Sequence, residues 1–179
     1  MTVAPGSGAP LPLPWLTDAR FRCFGCSPHN PVGLALPLAR LPGDRIGAWT
    51  TFAERFASYP GIVHGGVIST LVDEVMGNLV ALERGRLAFC VTLRTRMLAP
   101  LRIGRPYLCS ARLVAAGTDD ADGAVIRAEA DVSDVDGDLH AIASGTYQPI
   151  RAAHARTLMG LDDAEYATLQ HYFDHQMGT

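Results

Sequence analysis

The chain is short of charge and has no excess of base. Charged residues make up 18% of its 179 residues, aromatic residues 7%, and the formal net charge is -3. No global basic field is available to hold nucleic acid, and no strip of aromatic and basic residues marks a sheet that stacks bases. Long apolar runs are also missing. Those present are short and interrupted, so no membrane span is expected. The opening MTVAPGSGAPLPLPW has neither a basic stretch nor an unbroken apolar core. It is not expected to act as a secretory signal, and a cytoplasmic protein is expected. The sequence holds only 4 cysteines. Without an export signal they are expected to be reduced thiols or metal ligands, not a disulfide framework. No internal repeat is found. What remains is an ordinary globular balance, 48% hydrophobic, long enough for one domain with a real core.

The order of elements follows from periodicity and turn residues. Residues 1–19 are rich in Pro, Gly and Ala and read as an arm that can lie across the domain. The segment FRCFGCSPHNPVG, Phe21 to Gly33, is dense in turn formers. Strands are expected at Leu34–Leu41, Arg45–Phe52, Ala88–Leu98, Tyr107–Ala116, Ala124–Ser133 and Leu139–Gln148, the last four as an antiparallel meander. APLRIGRP, TDDADG and DVDGD are the turns between them. A C-terminal helix is expected from Asp163 to about His175, with Asp162 and Glu165 at capping-box spacing. The domain proper is placed at residues 20–150, and a helical extension at 151–179. One long apolar helix among six strands has an economical home on the concave side of a curved antiparallel sheet, an α+β arrangement. Uncovered sheet edges favour a dimer.

That helix lies in YPGIVHGGVISTLVDEVMG, Tyr59 to Gly77. On a wheel at about 100° per residue, Val67, Ile68, Leu71, Val72, Val75, Leu79 and Leu82 fall on one arc. Gly66, Ser69, Thr70, Asp73 and Gly77 lie on the other side, a small-residue stripe that lets another surface come close. The helix start offers unpaired N–H groups and a partial positive charge, and the glycines Gly65 and Gly66 allow close approach. Such N–H groups can hold a carbonyl oxygen that becomes negative during acyl transfer, while Asp73 would serve the other end of the reaction. Two copies of the helix across a twofold axis could exchange the two groups. Set against this, an isolated HGG is a weak motif, and an acid on a helix is usually solvated. Glu74, about 100° further round, is expected to be an ordinary exposed or paired carboxylate.

VHGGVISTLVDEVMG followed by VTLRTRMLAPLRIG resembles the hotdog-fold acyl-CoA thioesterases of the phenylacetate-pathway type, in the 4-hydroxybenzoyl-CoA thioesterase superfamily. The upstream CFGCSPHNPVGLAL is similar to a segment of one subgroup. The resemblance covers roughly Cys23 to Gln148. It implies a sheet wrapped round a central helix, a homodimer as the minimum unit with a dimer of dimers as a further state, and active sites at the subunit interface. It also implies hydrolysis of a small or medium acyl thioester on coenzyme A or an acyl carrier protein, with coenzyme A entering only as part of the substrate. By position, His64 and Gly65 match the helix start, with the Gly65 N–H polarising the thioester carbonyl. Asp73 matches the catalytic carboxylate, a general base or a nucleophile lent to the other subunit. Gly66 belongs to the same substrate-binding turn. Ser58 stands where relatives often have Asn or Gln. Cys90 stands near the acid as a lining residue, with Thr92 as a polar helper on the same face.

Two further patterns stand outside that machinery. Cys23-x2-Cys26-x2-His29 has ligand types suited to zinc, but no second CxxC or HxxxH completes a four-ligand set. The expectation is therefore no metal, and a packed loop near the substrate mouth. Arg94, Arg96, Arg102 and Arg105 follow the helix and either hold coenzyme A phosphates or form a solvated face. Two rival functions stay open: a non-catalytic acyl-thioester binding or regulatory protein, and an enoyl-thioester hydratase or dehydratase, which needs a differently spaced Asp/His pair.

Overall fold

The structure, a computed structural model, describes residues 11, 13, 19–114, 124–150 and 152–176. Most of the arm over 1–19, the TDDADG turn and the strand end at Ala116 lie outside these residues. Leu11 and Leu13 are buried in the core, and the Leu11 N–H donates to the Leu38 carbonyl at 3.0 Å.

Six strands form one antiparallel sheet: β1 (Ala39–Leu41), β2 (Arg45–Thr51), β3 (Ala88–Met97), β4 (Pro106–Leu113), β5 (Ile126–Ser133) and β6 (Leu139–Pro149). Their spatial order is β1-β2-β4-β5-β6-β3. The helix α1 (Gly65–Arg84) connects β2 to β3 and packs across β4, β3 and β5. This is the expected hotdog fold. The register shows alternate residues meeting the helix. Cys109 pairs with Val132 and Val132 with Ala141, and all three are buried. The small side chains Ala111, Ala128, Ala130, Ala141 and Ala143 leave room for the helix to seat on the sheet.

The expected meander of four strands holds for β4, β5 and β6 only. β3 instead pairs with β6 and forms the far edge, while β4 returns to pair with β2. The reason is the helix: α1 carries the chain from one side of the sheet to the other, so β3 starts away from β2. The first strand is also shorter than expected. Pro37 has no N–H for a ladder, and Ala35 takes a positive φ of 48°. Leu34 and Leu36 donate to the carbonyls of Phe24 and Gly25 instead, at 2.8 and 3.0 Å, binding this segment to the CFGC loop.

The apolar arc of α1 is as expected: Ile68, Leu71, Val72, Val75, Leu79 and Leu82 are buried, and Val67 is half-buried. Each such side chain contributes about 1.5–3 kcal/mol by leaving water. Gly85 ends the helix with φ 59°, in the left-handed region that suits glycine at this cap. By length and composition α1 could cross a membrane, but its apolar face is taken up by the sheet. Two helices follow β6, α2 (Ala152–Met159) and α3 (Asp163–Gln176). The expected capping box holds α3: Asp162 Oδ1 accepts from the Glu165 N–H and Glu165 Oε2 from the Asp162 N–H, each at 2.8 Å. The sequence reading did not separate α2 from the extension.

Candidate active site

The start of α1 is built by its preceding turn. His64 is the N-cap, with extended φ and ψ of -65° and 133°. Its N–H donates to the Phe56 carbonyl at 2.9 Å, and the Val67 and Ile68 N–H groups donate to its own carbonyl. The imidazole Nδ1 accepts the Gly66 N–H at 2.9 Å. This bond requires Nδ1 to be unprotonated, which puts the neutral ring's proton on Nε2. Among the described residues, the Gly65 N–H has no hydrogen-bond partner, and Gly65 is exposed. Of the two glycine amides anticipated at this turn, Gly66 is engaged by His64 and Gly65 is free. Ser58 sits in the turn before the helix: its N–H donates to the Ile62 carbonyl at 2.8 Å, and its hydroxyl meets the same oxygen at 3.5 Å.

Asp73 lies two turns along, half-buried. Eight residues at about 1.5 Å each separate it from Gly65 by about 12 Å along the axis. Tyr147 of β6 donates its hydroxyl to Asp73 Oδ1 at 2.9 Å, and the Asp73 main-chain carbonyl lies 3.3 Å from the same hydroxyl. Tyr147 is 1% exposed. Burial first, then the Asp73 charge, hold its phenol protonated well above the usual range. It is therefore a permanent donor to the carboxylate. Gly145 makes room for it: a Cβ there would sit 2.6 Å from the Tyr147 ring. Tyr147 was missed in the sequence because nothing links it to Asp73 except the register of β6. The one available signal was a tyrosine on an otherwise small-residue inward face.

Cys90 stands opposite Tyr147 in the β3–β6 ladder. Its thiol is pushed up to about 11, first by burial and then by the bond and charge of Asp73. A thiol so held is neutral near pH 7 and is no nucleophile. Thr92 departs from expectation. The register shifts between Cys90 and Thr92, so Thr92 pairs with Thr146, the immediate neighbour of Tyr147. One extra residue in the bulge reverses the alternation, and Thr92 faces away from Asp73. Arg94 and Arg96, paired with Ser144 and Ile142, share that outer face. They line a groove of about 620 Å³ with Arg112, Glu129, Asp131 and Leu139. Arg45 and Arg112 are paired there with Asp131 and Glu129.

Glu74 is a paired carboxylate, as one of the two expectations had it, though its partners are unexpected. Cys23 Sγ lies 3.2 Å from Glu74 Oε2, and the Asn78 amide donates to Glu74 Oε1 at 2.7 Å. The CFGC loop thus covers the flank of α1 next to Asp73. The Cys23 thiol is lowered, chiefly by its hydrogen bond with Cys26, and the same bond raises Cys26. His29 does not join this group. His140 bridges two turns, its ring nitrogens meeting the Pro100 carbonyl at 3.2 Å and Asp134 Oδ2 at 3.3 Å.

Residues 60–132, which include the helix start and Asp73, match the sequence pattern of the thioesterase superfamily. Among solved structures, a thioesterase superfamily protein superposes with a TM-score of 0.62 at 24% identity, covering 80% of this chain and 72% of its own. A Streptococcus mutans UA159 protein bound to acetyl CoA gives 0.55 at 22% identity, covering 63% and 86%. A phenylacetic acid degradation-related protein of Ralstonia eutropha JMP134 gives 0.54 at 24% identity, covering 64% and 85%. No curated protein matches the chain. Residues 60–132 are thus similar to the thioesterase superfamily, and the chain is built on the hotdog fold.

Proposed function

We propose that this protein hydrolyses acyl thioesters of coenzyme A or an acyl carrier protein, at sites shared between two copies of the chain. The observation that carries this is the pairing of an unengaged Gly65 N–H with an oriented Asp73, on one helix but about 12 Å apart. Within one protomer the two groups are too distant to act on one carbonyl. The edge strand supplies the remedy. A Cβ on Gly65 would be 3.8 Å from Met97, at the end of β3, while Asp73 neighbours Cys90, near its beginning. A copy of β3 paired antiparallel about a twofold axis would set residue 97 of one strand near residue 90 of the other. Gly65 of one protomer would then face Asp73 of its twin. The β3 edge also leaves Phe89 49% and Val91 56% exposed, an edge that soluble proteins normally cover or pair.

In this arrangement the thioester carbonyl accepts the Gly65 N–H, at the positive end of the α1 dipole. Asp73, held by Tyr147, takes a proton from water as that water attacks the carbonyl carbon. The tetrahedral oxyanion is stabilised by Gly65; it collapses, the C–S bond breaks, and the thiolate leaves with the proton from Asp73. Direct attack by Asp73, through a mixed anhydride that water then opens, uses the same placement. His64 fixes the turn through Gly66. Cys90 lines the site, and Ser58 borders its entrance. Arg94 and Arg96 would reach coenzyme A phosphates only where the ligand's tail passes round the β3 edge. Residues 20–150 would form the catalytic domain; the helix segment with VTLRTRMLAPLRIG supports the phenylacetate type, and the CFGC segment one subgroup of it. A cytoplasmic setting accords with the reduced thiols.

The experiment is an acyl-CoA panel assayed by thiol release, with Asp73→Asn beside the wild type. Turnover of at least one small or medium acyl-CoA, lost in the variant while the assembly persists, supports the proposal. Binding without release across the panel identifies a binding protein instead, and hydration of crotonyl-CoA identifies a hydratase.

A further inference from the structure

The CFGC loop meets α1 through three groups with the chemistry of metal ligands. The thiols of Cys23 and Cys26 and a carboxylate oxygen of Glu74 all lie within 4.8 Å of one another. A tetrahedron round an ion with bonds of about 2.0–2.3 Å has edges of about 3.3–3.8 Å. The Cys23 Sγ–Glu74 Oε2 separation of 3.2 Å is close to such an edge, and the other side chains would close by up to about 1 Å. From the sequence alone the set looked incomplete, since only two cysteines and a histidine are close along the chain. The fold supplies a third ligand from 48 positions beyond Cys26, and that ligand is Glu74, not His29.

The surroundings are arranged for such a set. Gly25 has no side chain where one would collide: a Cβ would sit 2.3 Å from Glu74 Oε2. The Gly25 N–H donates to Cys23 Sγ at 3.3 Å, a bond that favours the thiolate. The amide of Asn78, itself buried, donates to Glu74 Oε1 and to the Glu74 carbonyl. It thereby turns the other carboxylate oxygen toward the sulfurs, the outer-shell orientation typical of metal-ligating carboxylates. Cys26 is 3% exposed and Cys23 half-buried, so the pair is screened by the loop and the helix.

We propose that Cys23, Cys26 and Glu74 bind one zinc ion, which clips the loop to the flank of α1 beside Asp73. Two thiolates select a soft divalent ion over magnesium or calcium. The three ligands carry three negative charges against two positive ones, and a water or an exogenous ligand takes the fourth position. Binding releases the two thiol protons. The clip stands independently of the hydrolase proposal: the ion is a tether, and metal content is measured without any turnover.

The full chain is purified under a thiol reductant without chelator, and its zinc is measured by mass spectrometry. Cobalt is then titrated into metal-stripped protein. The wild type is expected to hold about one zinc per chain and to give a thiolate-to-cobalt charge-transfer band. Zinc affinity is expected to fall by more than about 100-fold in Cys23→Ser and in Glu74→Gln. Cys90→Ser should keep the full complement. No zinc together with no charge-transfer band in the wild type overturns the proposal. So does wild-type zinc content in a folded Cys23→Ser or Glu74→Gln. If Cys23→Ser fails to fold, Glu74→Gln and the wild-type cobalt spectrum still decide.

Discussion

Replacing Tyr147 by Phe removes one hydroxyl and leaves the ring in its slot beside Gly145. The lost bond joins a buried donor to an ionised carboxylate at 2.9 Å. Bonds to charged groups contribute about 1.5–3 kcal/mol. Because Asp73 is only half-buried, water can replace part of that bond in the free protein, so folding stability should fall by about 1 kcal/mol. Catalysis is hit harder, since the released carboxylate loses its aim at the attacking water. If the whole bond acts in the transition state, kcat falls about 10- to 100-fold. KM should change little, because the hydroxyl faces Asp73 and not the acyl chain. The assay is steady-state thiol release on the best acyl-CoA, with urea unfolding in parallel. A double-mutant cycle with Asp73→Asn then tests the pairing: once the acid is absent, removing the hydroxyl should cost turnover almost nothing further. A kcat within twofold of wild type in Tyr147→Phe, or full additivity in the cycle, refutes the assignment of Tyr147 as the residue that positions Asp73.

Three further outcomes follow from the geometry. Thr92→Ala should leave kcat within about twofold, since the β3 bulge turns Thr92 away from Asp73; ordinary surface substitutions also cost less than about 0.5 kcal/mol. Cys90 should react slowly with iodoacetamide at pH 8 and faster as pH rises toward about 11, because its raised pKa keeps it as the neutral thiol below that value; mass mapping of the alkylated peptide reads this out. Gly145→Ala should destabilise the fold by about 1–3 kcal/mol in urea unfolding, as the new methyl meets the Tyr147 ring.

Much of the architecture was legible because it rests on local patterns. The 3.6-residue repeat from Val67 to Leu82 identified the buried face of α1, and Asp162 with Glu165 identified the start of α3. What escaped depends on pairing between distant segments. β3 was placed beside β4 because they are neighbours in the chain, but a long helix before β3 frees it to join the opposite edge. Thr92 was put on the inner face by counting in twos, and a single bulged residue defeats that count. Helix position revealed Asp73, but its partner Tyr147 is 74 residues away along the chain. Glu74 was set aside as a control for Asp73; its link to Cys23 spans 51 residues and arises from a loop with no regular periodicity.

The shared site is tested most directly by mixing two inactive variants. Gly65→Pro deletes the free Gly65 N–H while suiting the first helical position, and the extended His64 suits a following proline. Asp73→Asn removes the carboxylate's basicity with little change of shape. Each alone should be nearly inactive. Unfolded together and refolded at equal amounts, they form about half mixed dimers by random association, and each mixed dimer regains one intact site of two. About one quarter of wild-type activity should return. No recovery in a mixture shown to contain the mixed dimer would contradict a site built from Gly65 of one protomer and Asp73 of the other.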